Sequence, residues 1–144
     1  LTEQVGSTKE IVILDKSRSR LSSARLSRNS REDKLFGDRG DNNLRGDSTA
    51  DYLYGDIGND KLYGGDGEDD LYSGSGDVVF QITKGASTDM ISDYDNETDN
   101  IKLLDGLEES DLTFSYGGVD NQMKYENDLM EIIQNTIAED FTFI

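Results

Sequence analysis

Acidic and amide side chains recur at a fixed step in this chain: Asp33, Asn42, Asp51, Asp60 and Asp69 stand nine residues apart. Glycine keeps the same step at Gly37, Gly46, Gly55 and Gly64, and Gly40, Gly58 and Gly67 repeat it in part. Together these supply hard oxygen donors, carboxylates from one position and backbone carbonyls that glycine allows to converge on one point. Calcium takes six to eight such oxygens in loose geometry, whereas magnesium keeps water and demands a stricter octahedron. The chain contains no His and no Cys, which disfavours zinc and copper. The same absence removes a histidine general base and a thiol nucleophile, and there is no Gly-x-Ser-x-Gly elbow or phosphate loop. The expectation is calcium as the one cofactor, no catalytic residues, and any catalytic domain of a parent protein upstream of Leu1.

Such donors need elements to hold them. Two residues after each acidic or amide position stands leucine, at Leu35, Leu44, Leu53, Leu62 and Leu71. A helix places apolar residues at a step of 3.6 and a coiled coil at 3.5, so nine with two or three glycines per unit suits neither. Six turn-prone residues followed by three strand-like ones, as in Gly55 to Asp60 and then Lys61-Leu62-Tyr63, suit a solenoid in which each unit is half a coil. Strand side chains alternate, so the leucine points inward and its neighbours outward. One leucine per nine residues is too little burial to offset the ordering of the backbone around it. The turns must be held by something else, and cations fit that role. A flexible Gly/Asp linker would have no reason to keep leucine and Asp in phase.

The units Gly55-Asp-Ile-Gly-Asn-Asp-Lys-Leu-Tyr63 and Gly64-Gly-Asp-Gly-Glu-Asp-Asp-Leu-Tyr72 resemble the RTX (repeats-in-toxin, hemolysin-type) calcium-binding nonapeptide GGxGxDxUx, with U a large apolar residue. Unit 37–45 follows it with Asp38 for the second glycine and Asn42 for the Asp; unit 46–54 has Asp47 and Thr49 in place of two glycines; unit 28–36 keeps Asp33 and Leu35. The last unit, Ser73-Gly-Ser-Gly-Asp77-Val-Val-Phe80, reads as one residue short. The resemblance implies an all-β fold, a parallel β-roll solenoid with two repeats per coil followed by a C-terminal β-rich capping region. It also implies calcium between equivalent turns of successive coils, pairing Asp33 with Asp51, Asn42 with Asp60, Asp51 with Asp69, and Asp60 with Asp77. The Asn42 site should be the weakest, since an amide brings no charge. The backbone ligands implied are those of Gly37, Arg39, Gly46, Asp47, Thr49, Gly55, Ile57, Gly58, Gly64, Gly65, Asp66 and Gly67. The stretch from Gly85 to Leu103 resembles the C-terminal flank pattern of the same family. Asp89 there matches a metal-associated Asp, and Asp93 and Asp99 match two further acidic positions. An EF-hand reading of Asp93, Asp95, Glu97 and Asp99 fails at Thr98 and Leu104, where Gly and Glu are required.

Three regions are expected: a basic flank over 1–27, the roll over 28–80 and a β cap over 81–144. In the last, strands are predicted at 78–82, 90–94, 101–104, 112–116, 122–125, 129–133 and 141–144, with Gly117-Gly118 and Glu126-Asn127 as turn signals. Of the 144 residues 33% are hydrophobic and the formal net charge is −17, a balance that leaves a chain unfolded without a counter-ion. Residues 1–31 nevertheless hold seven Lys/Arg against three Asp/Glu. That flank reads as a solvated arm or a degenerate coil on an acidic neighbour, since the field of the whole chain repels nucleic acid. The longest apolar run, Ile11 to Leu14, is too short to span a membrane.

Phe36, Tyr54 and Tyr72 lie eighteen residues apart and should stack on one outer sheet, with Tyr63 above Arg45 on the other. An extracellular recognition module, with such a ladder against a surface polysaccharide, is the alternative function. The Arg-Gly-Asp tripeptides at 39–41 and 45–47 resemble an adhesion motif but fall where the nine-residue period already explains them. The ending Glu139-Asp-Phe-Thr-Phe-Ile144 is similar to the acidic-then-hydrophobic terminus of type I secretion substrates. The family resemblance therefore implies a secreted, extracellular module that leaves the cell unfolded, with the type I machinery as a partner, and folds on calcium.

Overall fold

The computed structural model describes residues 10–13, 25–26, 32–84, 87–116, 120–125, 128–134 and 141–144. The basic residues Lys9, Lys16, Arg18, Arg20, Arg28 and Arg31 lie outside the described residues, as do both turn signals and the acidic pair Glu139-Asp140.

The described chain is built of short strands. They are β1 (Glu10–Ile13), β2 (Arg25–Leu26), β3 (Asp33–Phe36), β4 (Asn43–Ser48), β5 (Tyr52–Tyr54), β6 (Lys61–Asp66), β7 (Asp70–Tyr72), β8 (Val79–Ile82), β9 (Asp89–Ser92) and β10 (Asn100–Leu103). A single 3-10 turn, Glu109–Asp111, precedes β11 (Leu112–Tyr116), β12 (Asp120–Tyr125) and β13 (Asp128–Gln134). Successive strands of the repeat alternate between two sheets. One runs β1-β3-β5-β7-β9-β13-β12-β11 and the other β10-β8-β6-β4-β2. Pairing is parallel from β1 to β13 in the first sheet and throughout the second, so the chain winds as a β-roll; β13, β12 and β11 close the first sheet as an antiparallel meander.

The register follows the leucine phase. Leu35 pairs with Leu53, Leu53 with Leu71 and Leu71 with Ile91 in one sheet; Leu44 pairs with Leu62, Leu62 with Phe80 and Phe80 with Ile101 in the other. All eight side chains are buried between the sheets. Leu26 pairs with Leu44, so the ladder starts before the turn motif does. It also runs past Phe80 into β9 and β10. Beyond them Leu107, Leu112 and Met123 extend the core, with Phe114, Phe141 and Phe143 packed against it. The C-terminal segment forms no strand of its own. It crosses the edge of β10, where Ile101 donates to the Thr142 carbonyl (2.7 Å) and Ile144 donates to the Ile101 carbonyl (3.0 Å). No helix among the described residues is long and apolar enough to cross a membrane.

Candidate metal centre

The turns of the roll line two edges, and the sixth residue of each unit faces inward because it stands two positions before the buried leucine. On one edge these residues form the column Asp33, Asp51, Asp69 and Asp89; on the other, Asn42, Asp60, Val78 and Asp99. Along the first column each carboxylate accepts the backbone N–H of its counterpart one coil earlier. Asp33 donates to Asp51 Oδ1 (2.7 Å), Asp51 to Asp69 Oδ1 (2.7 Å) and Asp69 to Asp89 Oδ1 (3.1 Å). One oxygen of each acid thus fixes the register of the coils.

The second oxygen is what matters chemically. Asp51 and Asp69 are each 1% exposed, yet Oδ2 of each has no hydrogen-bond partner. A buried carboxylate oxygen without a donor is costly unless a cation meets it. The space it faces is bounded by the first glycine of the unit and the turn of the next coil. A Cβ placed on Gly46 would stand 2.5 Å from the Gly64 carbonyl oxygen and 2.6 Å from Asp51 Oδ2. Only a residue without a side chain leaves that cradle open. Among the described residues no three carboxylates converge on one point, so the rest of a cation's shell must come from turn carbonyls, an oxygen set that calcium accepts.

Burial shapes the titration of the column. It pushes Asp51 up to about 7 and Asp69 to about 6, opposed in each by the backbone N–H it accepts and reinforced by neighbouring carboxylates. Burial also raises Asp89, with the charge of Asp69 adding to it. Stacked buried like charges resist ionisation when no cation stands between them.

The turn backbone is unusual in a consistent way. Second positions Asp38, Asp47, Asp56, Gly65 and Gly74 and fourth positions Gly40, Thr49, Gly58, Gly67 and Gly76 all have positive φ. Third positions pair along the turns, Arg39 with Ile57 and Ile57 with Ser75. Ile57 itself is 54% exposed, so it serves through its backbone alone. The side chains of Arg39 and Asp66 are exposed as well.

The other edge is chemically different. Asn42 turns its amide nitrogen onto the carbonyls of Gly37 (2.9 Å) and Gly40 (2.6 Å), while its backbone N–H donates to Asp60 Oδ1 (2.6 Å). The unit from Ser73 is not one residue short. Val79 pairs with Lys61 and Phe80 with Leu62, so the unit has full length and its sixth position is Val78. Asp77 therefore occupies the exposed fifth position, its N–H donating to Asn59 Oδ1 (3.3 Å). The signal was present in the sequence, because Phe80 keeps the leucine phase, nine residues after Leu71. Asp99 ends this column with both oxygens engaged, Oδ1 by the Val78 N–H (3.0 Å) and Oδ2 by the Asp95 N–H (2.9 Å). Asp93 lies over the last turn and accepts from the N–H groups of Ser73 (2.8 Å) and Gly74 (3.3 Å).

On the outer faces Phe36, Tyr54 and Tyr72 stack with centroids 4.7 and 4.6 Å apart and planes within 7°. Both faces of Tyr54 are covered by rings of its own chain, which leaves only ring edges for a ligand there. The second Arg-Gly-Asp closes on itself, with Arg45 Nε 2.5 Å from Asp47 Oδ1 and the guanidinium 4.5 Å above the Tyr63 ring.

Comparison with known proteins adds three findings. The family model described as the RTX calcium-binding nonapeptide repeat (4 copies) matches residues 29–62 and 45–79. The chain is similar to the solution structure of the AlgE6R3 subunit from the Azotobacter vinelandii mannuronan C5-epimerase. They share 22% identity over 75% of this chain and 79% of that one, with a TM-score of 0.32. No curated protein matches the chain.

Proposed function

Residues 29–79 belong to the RTX calcium-binding nonapeptide-repeat family, and on that premise we propose that this chain is a calcium-folded module of a secreted protein. The observation that carries the proposal is the pair of buried, unpartnered oxygens, Asp51 Oδ2 and Asp69 Oδ2, facing glycine cradles bounded by turn carbonyls. Where calcium is scarce the ionised column repels itself and the thin leucine core cannot hold the coils. Outside the cell calcium would neutralise the turns; Asp33, Asp51, Asp69 and Asp89, with the first-position backbone, would hold it. Extracellular calcium modules bind with dissociation constants on the order of 10⁻⁴ to 10⁻³ M. At millimolar calcium one such site contributes about 0.5 to 1.5 kcal/mol. Several sites must therefore act together, and sharing of Asp51 and Asp69 between neighbouring slots makes them do so.

In this reading the module is a binding and folding unit, not an enzyme. It leaves the cell unfolded by a type I route, carboxyl end first, and the C-terminal strands fold onto the last coil. Far-UV circular dichroism during a calcium titration tests it, with magnesium as control. A steep rise of β structure with calcium and none with magnesium is expected. A β spectrum indifferent to chelator would end the proposal.

A further inference from the structure

We propose, on the basis of the calcium reading above, that the outer face of the second sheet binds an acidic polysaccharide, with one charged sugar seated between Asn43, Arg45, Tyr63 and Gln81. The alternation that buries the leucines turns the residues on either side of them outward. On β4, β6, β8 and β10 this gives two rows. Asn43, Lys61, Val79 and Asn100 form the first by register. In the second, Arg45 stands beside Tyr63 and Gln81 beside Lys102. Cations thus gather on one face of a chain whose net charge is −17, and no carboxylate stands in either row. The first sheet differs: Lys34 lies over the Tyr52 ring at 4.9 Å, and Asp70 is in register beside Tyr52.

The recess between Asn43, Arg45, Tyr63 and Gln81 encloses about 260 Å³, below the roughly 300 Å³ at which pockets for whole small molecules begin. It suits one unit of a chain that continues along the face. Asp47 holds Arg45 Nε at 2.5 Å, and the guanidinium lies 4.5 Å above the Tyr63 ring, so the fork is fixed before a ligand arrives. A planar guanidinium matches the paired oxygens of an acid group. The amides of Asn43 and Gln81 each offer donor and acceptor atoms, as the hydroxyls of a sugar ring require. Lys61 and Lys102 are exposed. With Arg45 they carry positive charge from β4 to β10, about 14 Å at the usual strand spacing. That is a track for a repeating anion, not a pocket for a single one.

Other partners fit less well. Tyr63 is the one aromatic in the two rows and Arg45 already stacks on its ring, so nucleic-acid bases find no free platform. Val79 is the one aliphatic residue there, too little for the apolar centre of a protein interface. The face joins residues from Asn43 to Lys102 across four strands. It exists only when the coils are stacked, so calcium governs binding through folding.

Fluorescence anisotropy with the whole chain at saturating calcium tests this, using labelled hexagalacturonate and a heparin hexasaccharide as probes and maltohexaose as the neutral control. Binding of an acidic probe and not of the control is expected; preference for the first assigns a carboxylated partner, for the second a sulfated one. Replacing both exposed cations, Lys61→Gln with Lys102→Gln, is expected to weaken binding about five- to tenfold, while Lys34→Gln on the opposite face leaves it unchanged. Equal loss in both variants overturns the assignment. So does binding of a single-stranded oligonucleotide or of phosphatidylserine vesicles with neither sugar chain bound. Circular dichroism on the same samples separates the two proposals. A roll that forms with calcium and binds no acidic sugar overturns this one alone; β structure indifferent to chelator overturns the calcium reading, and the anisotropy still decides the face.

Discussion

At the scale of single residues, the turns carry strain where glycine is missing. Thr49 holds φ at 89°, a left-handed conformation that a β-branched residue adopts only under constraint. Thr49→Gly is therefore expected to stabilise the folded roll by about 1 kcal/mol, seen as a lower calcium midpoint in a circular dichroism titration; a raised midpoint would show that the hydroxyl matters more than the backbone. The buried acids give a second expectation. Asp51 and Asp69 titrate near 7 and 6 in the folded chain, against about 4 for an unfolded carboxylate. Groups raised in this way stabilise the fold below about pH 4, and that contribution disappears as pH rises through 6 to 7. Chelated protein should accordingly gain β structure on acidification from pH 8 to pH 4, and a loss of structure over that range would contradict the burial of these acids. That Asp33, Asp51 and Asp69 share one column was legible from the nine-residue spacing. That Val78 and not Asp77 takes the sixth place of the last unit was less so, because the eye follows the carboxylate and the backbone follows the apolar phase.

At the scale of elements, each strand from β3 to β7 buries one large side chain, so a single truncation should be felt through a whole coil. Leu62→Ala removes a fully buried leucine between Leu44 and Phe80 and is expected to cost about 2 to 5 kcal/mol, measured by denaturant unfolding at saturating calcium. Tyr54→Ala, which opens the outer stack, should cost less. Aromatic pairs give about 0.5 to 1.5 kcal/mol beyond area, and a cost above that of Leu62→Ala would mean that the ladder, not the leucine column, holds the sheet. The strands of the repeat follow from the nine-residue phase. The order of the last ones does not. Alternation marks β11, β12 and β13 as half-buried strands, but it says nothing about β13 lying parallel beside β9 or the C-terminus crossing β10, because partner choice depends on packing far along the chain.

For the molecule as a whole, a chain of net charge −17 ties its roll to its C-terminus through Tyr94. Its hydroxyl donates to the Asp99 carbonyl (3.1 Å) and accepts the Thr142 N–H (3.2 Å), linking the final coil to the C-terminal segment. Tyr94→Phe should lower stability at saturating calcium by about 1 kcal/mol; no change in the unfolding midpoint would leave the terminus held by its aromatic contacts alone. The stacking itself has a historical corollary. Coils joined by the eighteen-residue register of Leu35, Leu53 and Leu71 share one backbone register, so an in-frame duplication of one coil would add a strand to each sheet, lengthen the roll by about 4.8 Å and leave both ends untouched. The step then widens to twenty residues between Asp69 and Asp89 and twenty-one between Val78 and Asp99. Those coils are fitted to the structure beyond them and cannot be copied in the same way, so differences in length among descendants of such a gene should accumulate in the middle of the roll and stop at its last turn.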